Sequence, residues 1–199
     1  MSFRTRKGLW SIPNILSYSR IAVIPGLTVL LILLDPRKSY EWNRNLGYAA
    51  AFLFVLTGIS DLVDGYVARK YGTMSVMGKF IDPMADKLVH MAVMVMMIPL
   101  GRLPAWFVVL LLFREIFITG LRSVAAAEGL IMGAGEWGKK KTATMHVGLS
   151  GILIYYPVLG VDLYSPALVC VAIGAILAIV SGVQYFVMFL KAVGRKSIG

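Results

Sequence analysis

Apolar residues run through this chain in six long stretches separated by short clusters of charge. The stretches cover about Pro13–Leu34, Leu46–Val67, Phe80–Leu100, Pro104–Ala127, Lys139–Leu159 and Pro166–Leu190. Each is close to the ~20 residues that a helix needs to cross the hydrocarbon of a bilayer. The pattern therefore predicts an all-α integral membrane protein of six transmembrane helices, forming one domain over residues 1–199. Ahead of the first stretch, residues 1–11 (MSFRTRKGLWS) combine three cations with Phe3, Leu9 and Trp10. That mixture predicts a short N-terminal segment lying in the membrane interface, with Trp at headgroup depth. Arg4, Arg6 and Lys7 before an apolar run also resemble the start of a secretory leader. The run from Ile12 to Leu34 is long enough to span, however, and no small-residue cleavage pattern follows at Asp35-Pro36-Arg37, so it is read as the first transmembrane helix.

Composition agrees with lipid as the solvent. The chain is 58% hydrophobic and 15% charged, against about half and a quarter in soluble domains. Cys170 is alone, which excludes an intrachain disulfide, and His90 and His146 have no neighbours at zinc-ligand spacing. The net charge of +10 is carried between the apolar runs, a placement that suits anionic headgroups or a phosphorylated substrate rather than nucleic acid. Six spans put both termini on one side. Thirteen of the twenty Lys and Arg residues then fall on that side. Four (Arg37, Lys38, Arg44 and Arg102) fall opposite, and three (Arg20, Lys87 and Arg114) lie within spans. This bias predicts cytoplasmic termini.

Against that background four carboxylates stand out. Asp61 and Asp64 sit near the cytoplasmic end of the second stretch, Asp82 and Asp86 in the first turns of the third. A charge inside an apolar span costs at least about 2.5 kcal/mol, so four of them are hard to explain as packing. Residues three or four apart share a helix face, which makes Asp61, Asp64, Gly65, Ala68 and Arg69 one stripe and Asp82 with Asp86 another. Facing each other unneutralised, the carboxylates would raise one another's pKa values. One or two divalent cations remove the conflict, and all-oxygen ligation favours Mg²⁺ or Mn²⁺. Gly65 and Ala68 leave room for a ligand to approach the backbone, and Arg69 offers a planar cation to a phosphate. Together these residues read as a pyrophosphate-binding, phosphoryl-transferring site. A cation or proton transporter would also carry intramembrane carboxylates, but it calls for polar residues in the outer halves of the spans, and Leu27–Leu34 and Val93–Leu100 are apolar. A lipid-binding or scaffolding protein leaves the aspartates unexplained. Met91, Met94, Met96 and Met97 are read as core filling.

The spacing Asp61-x2-Asp64-Gly65-x2-Ala68-Arg69-x8-Gly78-x3-Asp82-x3-Asp86 resembles the signature of the CDP-alcohol phosphotransferase family, with no departure at any fixed position. The resemblance implies a six-helix membrane fold, a homodimer, and transfer of a phosphatidyl or similar group from a CDP-activated donor to an alcohol with release of CMP. It further implies Asp61, Asp64, Asp82 and Asp86 as the metal site for two Mg²⁺ or Mn²⁺ ions. Asp86 would also serve as general base, and Asp61, Asp64, Gly65, Ala68, Arg69, Gly78 and Asp82 would line the CDP pocket.

The acceptor is addressed by other positions. Ile12-Pro13-Asn14-Ile15-Leu16 followed by Arg20, Arg114-Glu115-Ile116 through Leu121-Arg122, and Gly138-Lys139-x-Lys141-Thr142 resemble the bacterial phosphatidylglycerophosphate synthases. That resemblance implies CDP-diacylglycerol as donor and glycerol 3-phosphate as acceptor, in the bacterial plasma membrane with the site facing the cytoplasm. Arg114, Arg122, Lys139 and Lys141 would bind the acceptor phosphate, while Asn14 and Arg20 would line the cavity. Inositol phosphate, serine and phosphatidylglycerol are the competing acceptors within the family. The residues leave other roles open. Arg114 and Glu115 are alternatively an ion pair that anchors the fourth span, and Arg20 a residue snorkelling to the interface. His90, one turn beyond Asp86, is placed to hydrogen-bond it, His146 reads as a cavity wall or packing residue, and Lys140 as a headgroup contact.

Overall fold

The computed structural model describes residues 12–71, 76–129 and 136–196; the side chains of residues 12–17, 64–71, 76–80, 82, 83, 195 and 196 lie outside that description. Six helices are present among the described residues: α1 (Ile12–Ile32), α2 (Tyr40–Tyr71), α3 (Val76–Met97), α4 (Ala105–Ala127), α5 (Glu136–Ile154) and α6 (Tyr164–Lys196). Each coincides with one of the six apolar stretches. The all-α expectation holds, and two of the helices, over Tyr40–Val63 and Tyr164–Gly194, are long and apolar enough to cross a membrane. Large side chains such as Ile32, Phe52, Leu62, Val109, Phe113, Ile116 and Val183 face outward around the bundle. In water such a surface would aggregate; it points to association with a membrane. The interfacial segment expected at 1–11 lies outside the described residues.

Helix boundaries differ from the hydropathy reading where local chemistry overrides it. The stretch 35–45, expected as a loop, contains the first turn of α2. Ser39 starts that helix: its Oγ accepts the Trp42 N–H at 3.2 Å, as an N-cap hydroxyl does. The Asn43 side chain then ties the turn together, accepting from the Asp35 N–H at 3.0 Å and donating to the Asp35 carbonyl at 2.8 Å. At the other extreme, α5 stops at Ile154 although hydrophobicity continues to Leu159. Tyr155 and Leu159 adopt positive φ (55° and 52°), and Pro157 between them has no N–H to continue a helix. The chain re-enters helix at α6, where the Asp162 carboxylate accepts the Tyr164 and Ser165 N–H groups. Hydrogen bonds from Ser165 and Tyr164 hold the Asp162 carboxyl below its usual pKa.

Contacts between helices fix their directions. A Cβ on Gly148 would lie 2.6 Å from a Val171 methyl, one on Gly151 2.5 Å from the Ala167 Cβ, and one on Gly174 3.3 Å from Met145. The order 145–174, 148–171, 151–167 is that of an antiparallel α5–α6 pair whose backbones meet through small residues, the usual solution where lipid removes the hydrophobic drive to pack. The pairs Gly47–Leu153 and Gly58–His146 run α2 antiparallel to α5 in the same way. The core between them is Leu27 and Leu31 of α1, Ala50 and Phe54 of α2, Val89, Val93, Met94 and Met97 of α3, Val108 and Leu111 of α4, and Leu149, Ile152 and Leu153 of α5. Met94 and Met97 fill this core, as expected, and Met91 and Met94 line a cavity beside it.

The two ends of the bundle differ in chemistry. At one end, Arg102 in the α3–α4 connection donates to the Ile152 and Leu153 carbonyls at 3.2 and 3.1 Å and lies 4.2 Å over the Tyr155 ring. It thereby satisfies carbonyls that the C-terminus of α5 leaves open. The opposite end carries Asp61 and Asp86 and, among the described residues, most of the cations.

Glycine positions give a direct test of the packing. Gly148→Val should lower the thermal unfolding midpoint in detergent by the equivalent of about 1–3 kcal/mol, since its side chain meets the Val171 backbone. Gly120→Ala on α4, with nothing within 4 Å, should leave it unchanged or raise it. Equal midpoints for the two variants would contradict the α5–α6 contact.

Candidate active site

The site is built where α1, α2, α3, α4 and α5 bring polar residues to the same end of the bundle. Arg20 of α1 is 2% exposed and donates from Nη1 to Asp61 Oδ1 of α2 at 2.8 Å. It does not snorkel to the surface; its charge is matched by one of the four aspartates. A guanidinium drawn out of water needs such a partner, so α1 is locked to α2 at the point where the signature stripe begins. Asp64, Gly65, Ala68 and Arg69 belong to α2 and Gly78 and Asp82 to α3, but their side chains lie outside the described residues, as does that of Asn14.

Asp86 is described, and it opens onto a cavity between α3, α4, α5 and α6. Lys87, His90, Met91, Met94, Leu111, Glu115, Lys141 and Thr142 share its wall. The cavity thus joins the predicted base to one of the predicted phosphate-binding cations. It is apolar toward the core and charged toward the bundle end, the usual construction of a small-molecule site.

Behind Asp86 stands a pair of histidines. His90 Nδ1 lies 2.8 Å from the Asp86 carbonyl and 3.4 Å from Asp86 Oδ1. A carbonyl only accepts, so Nδ1 carries a proton, and the other ring nitrogen, Nε2, faces His146. His146 Nδ1 approaches that nitrogen at 3.3 Å. The His146 ring in turn stacks on Phe54, centroids 4.2 Å apart at 16°. It occupies the space above Gly58, where a Cβ would come within 2.3 Å of His146 Nε2. The predicted contact of His90 with Asp86 is therefore present, and His146 packs behind it.

The remaining cations separate into two groups. Glu115 accepts from Arg114 Nη1 at 2.8 Å and forms an ion pair with Lys141, and both partners are largely buried. Arg114 also donates from Nε to the Ala178 carbonyl at 2.8 Å and from Nη2 to Ser181 Oγ at 2.7 Å, passing over Gly182 of α6. Three of its donors are committed within the protein, the arrangement expected of an anchor for α4. Arg122 lies exposed over the Tyr185 ring at 5.8 Å, and Lys139 is exposed on the first turn of α5. Lys140 sits 5.2 Å over the Trp137 ring, at the bundle surface.

Sequence reasoning passed over Lys87 and Thr119. Lys87 Nζ donates to Thr119 Oγ1 at 2.6 Å, and that hydroxyl donates to the Glu115 carbonyl at 2.6 Å. A lysine immediately after the predicted base, inside an apolar helix, was the available signal. Among the described residues no group of three His, Cys, Asp or Glu side chains gathers as a metal site; two of the four predicted ligands, Asp64 and Asp82, are not among them. The donor set nevertheless fits a hard divalent cation: Asp61 and Asp86 offer carboxylate oxygen at the same end of the bundle, and both remain partly exposed.

Arg114 supplies a test. If it is an anchor, Arg114→Met should lower stability by about 3 kcal/mol or more, read as a fall in the unfolding midpoint in detergent, because Glu115 and two α6 acceptors lose a buried partner. An unchanged midpoint with weakened acceptor binding would assign it to the substrate instead.

Comparison with known proteins agrees with these features. The profile of the CDP-alcohol phosphatidyltransferase family matches residues 10–190. A Bacillus subtilis protein named CDP-diacylglycerol–glycerol-3-phosphate 3-phosphatidyltransferase is 33% identical over 187 residues, covering 89% of this chain and 94% of its own length. A Rickettsia typhi protein of the same name is 34% identical over 179 residues, covering 88% of this chain and 95% of its own length. The match runs from α1 into α6 and spans the aspartate signature, and the chain belongs to the CDP-alcohol phosphatidyltransferase family.

Proposed function

We propose that this chain is a CDP-diacylglycerol–glycerol-3-phosphate 3-phosphatidyltransferase, which makes phosphatidylglycerophosphate and CMP. One observation carries the acceptor: Asp86 and Lys141 line the same cavity, so a proton acceptor and a phosphate-binding cation face one bound small molecule. The names of the relatives support both substrates.

In this reading residues 1–199 form one domain whose six helices all cross the bacterial plasma membrane. The charge bias in the sequence supports a cytoplasmic site. Asp61, Asp64, Gly65, Ala68, Arg69, Gly78 and Asp82 bind the CDP moiety of the donor, whose acyl chains stay in lipid. Asp61, Asp64, Asp82 and Asp86 hold two Mg²⁺ or Mn²⁺ ions, which when bound supply positive charge to the pyrophosphate. Glycerol 3-phosphate enters from the cytoplasm, its phosphate held by Lys141 with help from Lys139 and Arg122 at the mouth. Arg114 contributes by fixing Glu115 and hence Lys141. Asp86 takes the proton of a primary hydroxyl; the oxygen forms a bond to the β-phosphorus of CDP-diacylglycerol, and the bond from that phosphorus to CMP breaks. His90 holds Asp86 from behind, and Arg20 holds Asp61. The enzyme acts as a homodimer, as the family resemblance implies.

Asp64→Asn and Asp86→Asn should each abolish CMP release in detergent while the protein stays folded; full activity in either would remove that aspartate from the site. Chelation with EDTA should stop the reaction and added Mg²⁺ or Mn²⁺ restore it. With CDP-diacylglycerol as donor, CMP should appear with glycerol 3-phosphate and not with inositol phosphate, serine or phosphatidylglycerol; release with one of these alone would overturn the acceptor. Lys141→Ala should raise the KM for glycerol 3-phosphate more than that for the donor, whereas equal shifts would remove Lys141 from the acceptor site.

A further inference from the structure

We infer that Lys87 is a second lysine of the acceptor-phosphate subsite, facing Lys141 across the cavity and setting the enzyme's preference for an acceptor that carries a phosphate. The inference rests on the proposed activity and concerns a residue outside the aspartate signature.

Three observations support it. Lys87 and Lys141 come from different helices, α3 and α5, yet line one cavity together with Asp86. Their charges are matched differently. Lys141 is ion-paired with Glu115, while the ammonium of Lys87, among the described residues, has only the neutral Thr119 hydroxyl at hydrogen-bond distance. A half-buried cation with a neutral partner has more to gain from an arriving anion than one already paired. The polar frame around Lys87 is also built in advance. Thr119 Oγ1 gives its proton to the Glu115 carbonyl and so presents a lone pair to Lys87; Glu115 in turn holds Lys141.

Position in the sequence supplies selectivity. Lys87 follows Asp86 directly, so the cation and the base lie within the length of one small molecule. An acceptor whose hydroxyl and phosphate are separated by a few carbons reaches both at once. Serine has no phosphate to offer, and the phosphate of phosphatidylglycerol is a diester with a single negative charge, one fewer than the monoester of glycerol 3-phosphate can carry.

The test separates the two substrates. In purified protein, Lys87→Met should raise the KM for glycerol 3-phosphate at least about tenfold, with the KM for CDP-diacylglycerol within about twofold, and Lys87→Arg should recover much of the loss because it restores charge. An unchanged acceptor KM, or a parallel rise in both, overturns the inference. A measurement on the unsubstituted protein covers the case of a variant that does not fold. Amine acetylation in detergent, read by peptide mass spectrometry, should be slowed at Lys87 by glycerol 3-phosphate and not by serine; the same extent of labelling with both overturns it. Failure of the activity itself looks different. If CMP release requires inositol phosphate, the Lys87 effects move to that acceptor's KM and the subsite stands. If it requires serine or phosphatidylglycerol, both readings fall.

Discussion

Glu115 meets two cations in a part of the bundle where none of the three could stand alone. Its carboxylate lies between the Arg114 guanidinium and the Lys141 ammonium. Removing Glu115 would leave two largely buried cations without their carboxylate, which costs far more than the pairs themselves contribute. The triad fixes α4 to α5, and the other donors of Arg114 extend the connection to Ala178 and Ser181 of α6. Three helices are thereby held in register by charge at the end where they would otherwise splay. Glu115 and Lys141 themselves form part of the cavity wall, and Lys87 lines it with the Thr119 hydroxyl as its hydrogen-bond partner.

The far end of the bundle is held by different physics. There the helices meet through Gly47, Gly148 and Gly151, with backbone close to backbone. Arg102 and the surrounding tyrosines close the end of α5. Close packing through small residues makes a rigid half, and ion pairs around an open space make a half that can exchange one anion for another. A transferase that must admit a small polar acceptor beside a lipid-embedded donor needs both. Their division between the two ends follows the hydrophobic pattern of the chain, apolar toward the Arg102 end of the helices and polar toward the aspartate end.

Much of this was legible in the sequence because the two strongest constraints are local. Twenty apolar residues in a row form a helix whatever their neighbours do, and the spacing of Asp61 through Asp86 needs no tertiary information to be recognised. Helix ends were less legible: one Ser39 hydroxyl starts α2 several residues before hydrophobicity does, and the positive φ of Tyr155 ends α5 before hydrophobicity stops. Least legible were partnerships between distant residues. That Arg20 would find Asp61 and Glu115 would hold Lys141 depends on which helix faces which, and no spacing along the chain encodes that. The ion-pair alternative for Arg114 and Glu115 was visible as neighbouring charges; the third member, Lys141, was visible only as a phosphate ligand.

Gly58 carries a consequence for how this sequence can drift. It lies on α2, only three residues before Asp61, at a position that hydropathy treats as filler. The missing side chain is the space taken by the His146 ring, which touches His90, which touches Asp86. A single methyl at position 58 would displace the imidazole and pass the movement through His90 to the Asp86 backbone carbonyl, beside the carboxylate. The position is thus constrained by chemistry it never contacts. Substitutions there become tolerable only alongside a smaller residue at position 146, so the two sites are expected to change together or not at all.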